Sequence, residues 1–212
     1  MSYAKDFYPD LDVLKSSLSA GRHFQIRVLD RASDITVVAP HGGFIEPGSS
    51  YLAAMIAGED FNLFDFQGLR RRQPIELHVT STRFRDPLLD VLLQRSRLAL
   101  SIHSMGPDGP GEVWVGGLNA QVKARVCTEL NRHGFVARSE TPRYRGEHPR
   151  NFVNLAAQKG VQIELSGDVM AQLFERPQRA FTPGVNRPRT TERFDRFVEA
   201  VRTALQADLP AA

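Results

Sequence analysis

Two short apolar runs constrain the fold of this chain more than any other feature. They are ITVVAP (35–40) and LALSI (98–102), and each is closed by a histidine, His41 and His103. Runs of this length, bounded by turn-forming residues, read as buried strands rather than core helices. The first continues into HGGFIEPGSS, which brings Glu46 soon after His41. A turn needs the two glycines there. It needs neither the imidazole nor the carboxylate.

Strand and helix patterns alternate around these runs. FQIRVLD (24–30), EVWVG (112–116) and GVQIELS (160–166) read as strands, and so does PIELHVT (74–80), where Ile75, Leu77 and Val79 alternate with Glu76, His78 and Thr80. SSYLAAMIAGED reads as a helix with a serine cap, and DPLLDVLLQRSR (86–97) as a helix behind an aspartate cap. NAQVKARVCTELNRHGF has amphipathic spacing and ends at Gly134, while DVMAQLFERP is helical up to Pro177. Residues 177–190 read as a loop and 191–206 as a final amphipathic helix. The alternation predicts an α/β three-layer sandwich. Some neighbouring strands lack a helix between them, so the sheet is expected to be mixed and mostly parallel. With 212 residues, one domain spanning 1–212 is expected.

Composition narrows the function. A formal charge of +3 is too small to argue for nucleic acid, though it tolerates an anionic substrate. Cys127 is the single cysteine, so an internal disulfide and a cysteine-based zinc knot are excluded. Its place in the amphipathic pattern makes it a packed helix residue. The opening MSYAKDFYPDLDVLKSSLSAG lacks the apolar core of a signal peptide, and no run of 18 apolar residues occurs. A cytoplasmic protein without a membrane partner is the expectation, and release by host lysis would leave no mark. The chain holds no G-x-S-x-G elbow, P-loop or G-x-G-x-x-G.

In open α/β folds ligands sit outside the carboxyl ends of the parallel strands. If the two histidine-ended strands are neighbours, His41, Glu46 and His103 meet at one edge. Two histidines and a glutamate form a common catalytic zinc set with a fourth position for water. Zinc lowers the pKa of such a water towards about 7 and polarises a carbonyl. The competing reading of a strand-end histidine is a hydrogen-bonded loop residue. Glu164 stands inside the apolar strand VQIEL, which is costly unless it is paired. It reads either as a general base over the metal site or as a core glutamate paired with an arginine. His78 reads as a substrate contact or as a hydrogen-bonded histidine, and His148, in the loop GEHPRN, stands where it can touch substrate.

Six blocks in order, APHGGFIEPGSS, DFNLFDFQG, LHVTSTRFRDP, LSIHSM, VWVGGLN and NFVNLAAQKGVQIELS, resemble the poly-gamma-glutamate hydrolase family over roughly residues 20–176. That family is typified by bacteriophage enzymes, has bacterial relatives and is similar in fold to zinc carboxypeptidases. The resemblance implies one zinc ion, with His41, Glu46 and His103 as ligands and Glu164 as the catalytic base. It implies a gamma-glutamyl polymer or peptide as substrate. Arg83, Arg85, Arg150, Asn151, His78 and His148 are the candidates to hold it. Two departures bear on that recognition: the family often has arginine where this chain has Leu155, and glycine where it has Ser104. An arginine is the natural partner of a substrate carboxylate, and Arg150 stands just before the N-x-x-N motif. Two rival readings remain open at this point. One is a metallo-carboxypeptidase or amidohydrolase acting on another acyl-amino-acid or peptidoglycan substrate. The other is a non-catalytic, phage-related protein associated with replication.

Overall fold

A computed structural model of the chain describes residues 6–175 and 188–207. The expected loop at 177–190 lies outside the described residues except for its last three, and so does the expected helix stop at Pro177.

Among the described residues, seven strands form one sheet. They are β1 (Phe24–Leu29), β2 (Ile35–Gly43), β3 (Asn62–Gly68), β4 (Leu98–Ser104), β5 (Glu112–Gly116), β6 (Val136–Arg138) and β7 (Gly160–Leu165), in the order β1-β3-β2-β4-β7-β5-β6. The central strands β3, β2, β4 and β7 run parallel. β1 is antiparallel to β3, and β5 is antiparallel to β7. This is the expected mixed, mostly parallel sheet.

Six α-helices among the described residues accompany it: α1 (Leu11–Ser17), α2 (Ser49–Ala57), α3 (Pro87–Arg95), α4 (Ala120–Arg132), α5 (Gly167–Gln172) and α6 (Glu192–Gln206). Helices α2, α4, α5 and α6 cover one face, where Val37, Leu100, Ile163, Ile56, Val126 and Phe197 share a core. Helices α1 and α3 cover the other, where Val38, Phe64, Phe66, Leu14, Leu89 and Phe152 pack together. Strands β1, β2, β3 and β4 therefore send alternate residues into different cores, the period-two rule that makes a three-layer sandwich. Cys127 packs at the margin of the first core, and burial pushes its thiol up.

Two local expectations change, and a third segment, unassigned in the sequence analysis, proves to be a strand. PIELHVT is not a strand: Pro74–Leu77 is a single 3-10 turn, entered through Gln73 in the left-handed region at φ 52°. Pro74 takes the first helical position, where its fixed φ is already suitable and its missing N–H costs nothing. The period-two pattern survives only as burial of Leu77 and Val79 against exposure of Ile75. Second, α2 begins behind Gly48 instead of a serine cap, because the Ser49 hydroxyl donates back to the Glu46 carbonyl. Third, NLFDFQG forms a central strand, β3, which the buried Asp65 disguises among Leu63, Phe64 and Phe66.

Candidate metal centre and catalytic cavity

β2, β4 and β7 end side by side, and the sheet's pleat decides what they present. On β4 and β7, His103 and Glu164 are register partners, so both side chains leave the same face. His41 would point the other way by simple alternation, because Ile35, Val37 and Ala39 belong to the opposite core. A register shift between Ala39 and Gly42 corrects this. One extra residue in β2 forms a bulge at Pro40–His41, a place where proline is tolerated within a sheet, and re-aims the imidazole onto the cavity face. The glycines that follow are required by space. A Cβ on Gly42 would lie 2.0 Å from the Ser50 hydroxyl, and Gly43 has φ +67° against the Gly68 carbonyl.

Glu46 folds back through a turn in which its N–H donates to the His41 carbonyl at 2.8 Å. Its Oε1 then lies 2.7 Å from His41 Nδ1, and its Oε2 accepts the Ser104 N–H at 2.9 Å. His103 Nδ1 is 3.2 Å from His41 Nδ1 and 3.5 Å from Glu46 Oε2. Both histidines are 2% exposed, so solvent does not separate these atoms. Burial alone would raise the Glu46 carboxyl, but the His41 and His103 imidazoles outweigh it and hold the group well below the usual carboxylate range.

The donor chemistry tests whether a cation fits. His41 Nε2 lies 2.9 Å from the Val79 carbonyl, which can only accept, so this nitrogen carries a proton. In the neutral ring Nδ1 is then a bare lone pair, and it faces a carboxylate oxygen and a second imidazole. Such a set repels itself unless a proton or a metal ion lies between its members. A tautomer fixed by a backbone carbonyl is also the usual arrangement behind a metal-binding imidazole. Ligands about 2.1 Å from one tetrahedral ion lie roughly 3.4 Å apart, close to the separations of His103 from the other two groups. His103 Nε2 is buried with no hydrogen-bond partner among the described residues. The residues fit a metal ion of the zinc type.

His78 competes for the third position. It offers a nitrogen within 4.8 Å of ligand atoms on His41 and Glu46, and its ring centroid is 4.0 Å from that of His41. Its Nδ1 is engaged by Asp6 Oδ1 at 2.8 Å, which leaves Nε2 as its available nitrogen, just as the Val79 carbonyl leaves Nδ1 of His41. By ring centroids His103 stands farther from His41 than His78 does, 5.0 Å against 4.0 Å, but its Nδ1 has the 3.2 Å and 3.5 Å separations of ligands that share one ion. Burial, followed by the His41 charge, pulls the His78 pKa down, with Asp6 opposing. Asp6 also accepts the Thr80 N–H and an Arg83 N–H. Burial alone would raise the Asp6 carboxyl, but the His78 hydrogen bond, then the Thr80 contacts, outweigh it and hold the group well below the usual carboxylate range.

The centre floors a cavity of about 490 Å³. Glu164 lines it at 5% exposure, its carboxyl raised well above the usual range by burial and then by the charge of Glu46, with the Gln162 amide opposing. His78, Arg83, His148 and Asn151 line it too. Arg85 and Arg150 do not. Arg85 is turned outward and pairs with Asp90 at 2.9 Å, and Arg150 is exposed, with its backbone N–H on His148 Nδ1. Leu155 is exposed as well. Sequence reasoning missed Asp6, Tyr144 and Gln162. Asp6 lies 72 positions from its partner His78 and carries no local signal. Gln162 was legible as the companion of Glu164 on the polar side of VQIEL.

The model of the family described as poly-gamma-glutamate hydrolase matches residues 8–200. This chain belongs to that family. The match runs beyond the 20–176 stretch of the sequence resemblance and reaches into α6. Among solved structures, that of a bacteriophage poly-gamma-glutamate hydrolase superposes with a TM-score of 0.87 at 30% identity, covering 95% of this chain and 97% of that one. A zinc-free apo form of YndL superposes with a TM-score of 0.84 at 24% identity, covering 97% and 100%, and so shares the fold. The SPbeta prophage-derived UPF0714 protein YoqZ of Bacillus subtilis is 32% identical over 81% of this chain. The chain spans 62% of that relative's length. No helix among the described residues is long and apolar enough to cross a membrane.

Proposed function

We propose that the chain is a zinc-dependent amide hydrolase acting on gamma-glutamyl linkages, with one ion held by His41, Glu46 and His103. The observation that supports this most is the convergence of His41 Nδ1, Glu46 and His103 Nδ1, each within 3.5 Å of another, beside a buried glutamate in an open cavity. Held by His41, Glu46 and His103, zinc would supply a positive charge able to polarise an amide carbonyl, acidify water and favour the ionised form of Glu164. Glu164 then takes the proton of the attacking water and returns it to the departing nitrogen. The fixed N–H of Ser104 holds the Glu46 carboxylate in place throughout. Arg83, with one guanidinium nitrogen on Asp6 and its side chain 43% exposed at the cavity, is the residue we assign to a substrate carboxylate. His78 and His148 are the further contacts. Asn151 is a different case, because its amide is engaged at both ends by Val153 and Gln162.

The test is hydrolysis of poly-gamma-glutamate, gamma-glutamyl peptides and ordinary peptides, before and after chelation, with zinc measured in the same samples. We expect cleavage of the gamma-linked substrates, loss on chelation and recovery with one equivalent of zinc. Cleavage of ordinary peptides alone would move the chain to the carboxypeptidase reading. Activity that survives full removal of metal would overturn the zinc requirement.

A further inference from the structure

Beside Glu164 runs a short relay of two buried amides whose direction is fixed at both ends. The backbone N–H of Val153 donates to Asn151 Oδ1 at 3.3 Å, so the other end of that amide, Nδ2, faces Gln162. Asn151 Nδ2 donates to Gln162 Oε1 at 2.8 Å. Gln162 Nε2 then donates to Glu164 Oε1 at 2.9 Å and to the Tyr144 carbonyl at 3.3 Å. A backbone N–H can only donate and a carbonyl can only accept. Turning either amide around would therefore set donor against donor or acceptor against acceptor. Asn151, Gln162 and Glu164 are 4%, 5% and 5% exposed, so water cannot repair such a mismatch cheaply.

The two oxygens of Glu164 are thereby made unequal. Oε1 holds a permanent donor. Oε2 is left as the oxygen for proton transfer. We propose that Gln162 is a positioning residue that reserves one Glu164 oxygen for catalysis, and that Asn151 sets its direction instead of contacting substrate. This rests on the hydrolase reading above. The segment that carries Asn151 is itself held to β7 through this relay. Tyr144, at φ 56°, is a non-glycine residue in the left-handed region whose carbonyl anchors the far side. Backbone strain of this kind collects where a surrounding structure over-determines a functional position.

Asn151→Asp is the sharpest probe. It keeps the volume and the acceptor for the Val153 N–H, but replaces the donor facing Gln162 with an acceptor. Gln162 would then face acceptors on both sides, the new carboxylate on one and Glu164 with the Tyr144 carbonyl on the other, so the single direction of the relay is lost. Gln162→Met removes the donor with little change in volume. We expect each variant to lose about tenfold or more in kcat, the scale of outer hydrogen-bond partners at metal sites. KM and the zinc stoichiometry of the folded protein should stay near wild type, while the melting temperature falls because each variant leaves buried polar groups mismatched. The double variant should lose no more than the worse single one. Wild-type kcat in Asn151→Asp, or losses that multiply, would overturn the proposal. An inactive wild-type protein would instead count against the hydrolase reading. The relay is then read by NMR of the Gln162 side-chain amide. Displacement of its protons by Asn151→Asp supports the fixed orientation, and unchanged resonances overturn it.

Discussion

β7 places two kinds of chemistry on six residues. Val161, Ile163 and Leu165 enter the core beneath the helices on one face, fully buried. Gln162 and Glu164, between them, are just as inaccessible to bulk water but line the cavity on the other face. The difference is in what surrounds them. On the helix-covered face a side chain is stabilised by the apolar area it removes from water. On the cavity face a polar group must find partners, and Glu164 has one donor and a neighbouring carboxylate that repels it. One face is arranged for stability. The other carries a standing electrostatic cost, which a cation in the neighbouring cradle would relieve.

The two faces should respond in opposite ways to substitution. Glu164→Gln, on the cavity side, should leave the fold and the bound zinc intact and reduce turnover by about a thousandfold, within the range for a lost general base. Normal rates in that variant would remove the role assigned to Glu164. Ile163→Ala, one residue away, should cost about 2–5 kcal/mol of stability, read from the midpoint of urea unfolding, while the folded fraction keeps its zinc. An unchanged midpoint would contradict the packing described for the helix-covered face.

Asp65 is the exception that sharpens the contrast. It is a carboxylate on the helix-covered side, 1% exposed, accepting from Ser50 and Gln67. Burial pushes it from 3.8 up to about 6, with those two donors and the Arg27 charge opposing. Between these values the folded protein retains a proton that the unfolded chain has released. The stability this group contributes is full below about pH 4 and is lost as pH rises through about 6. The shift corresponds to about 3 kcal/mol. The advantage of wild type over Asp65→Asn in unfolding free energy should fall by up to that amount between pH 4 and pH 7. Glu46 and Asp6, whose folded carboxyls are depressed, act with the opposite sign and cancel in this difference. An advantage independent of pH would show that Asp65 keeps an ordinary pKa.

The same contrast explains what could be read from the sequence. Glu164 stood out because a carboxylate interrupts an apolar alternation, and His41 and His103 because each closes a strand. Their convergence was legible as neighbouring strand ends. The bulge that turns His41 to the correct face was not, since Pro40 is only a permissive sign of one. PIELHVT misled because a period of two does not reveal that Pro74 starts a 3-10 turn. Arg85 carries the right charge near the right motif, yet Asp90 on α3 draws it to the surface. Asp6 reaches the cavity from the N-terminal segment, a long-range contact that no local pattern encodes.

The most direct test of the account is a zinc-binding titration against a competing chelator on wild type, His103→Ala and His78→Ala. Wild type should bind one ion per chain, His103→Ala should lose high-affinity binding, and His78→Ala should retain it. Retention by His103→Ala together with loss in His78→Ala would mean that the ion is held by a different set of side chains.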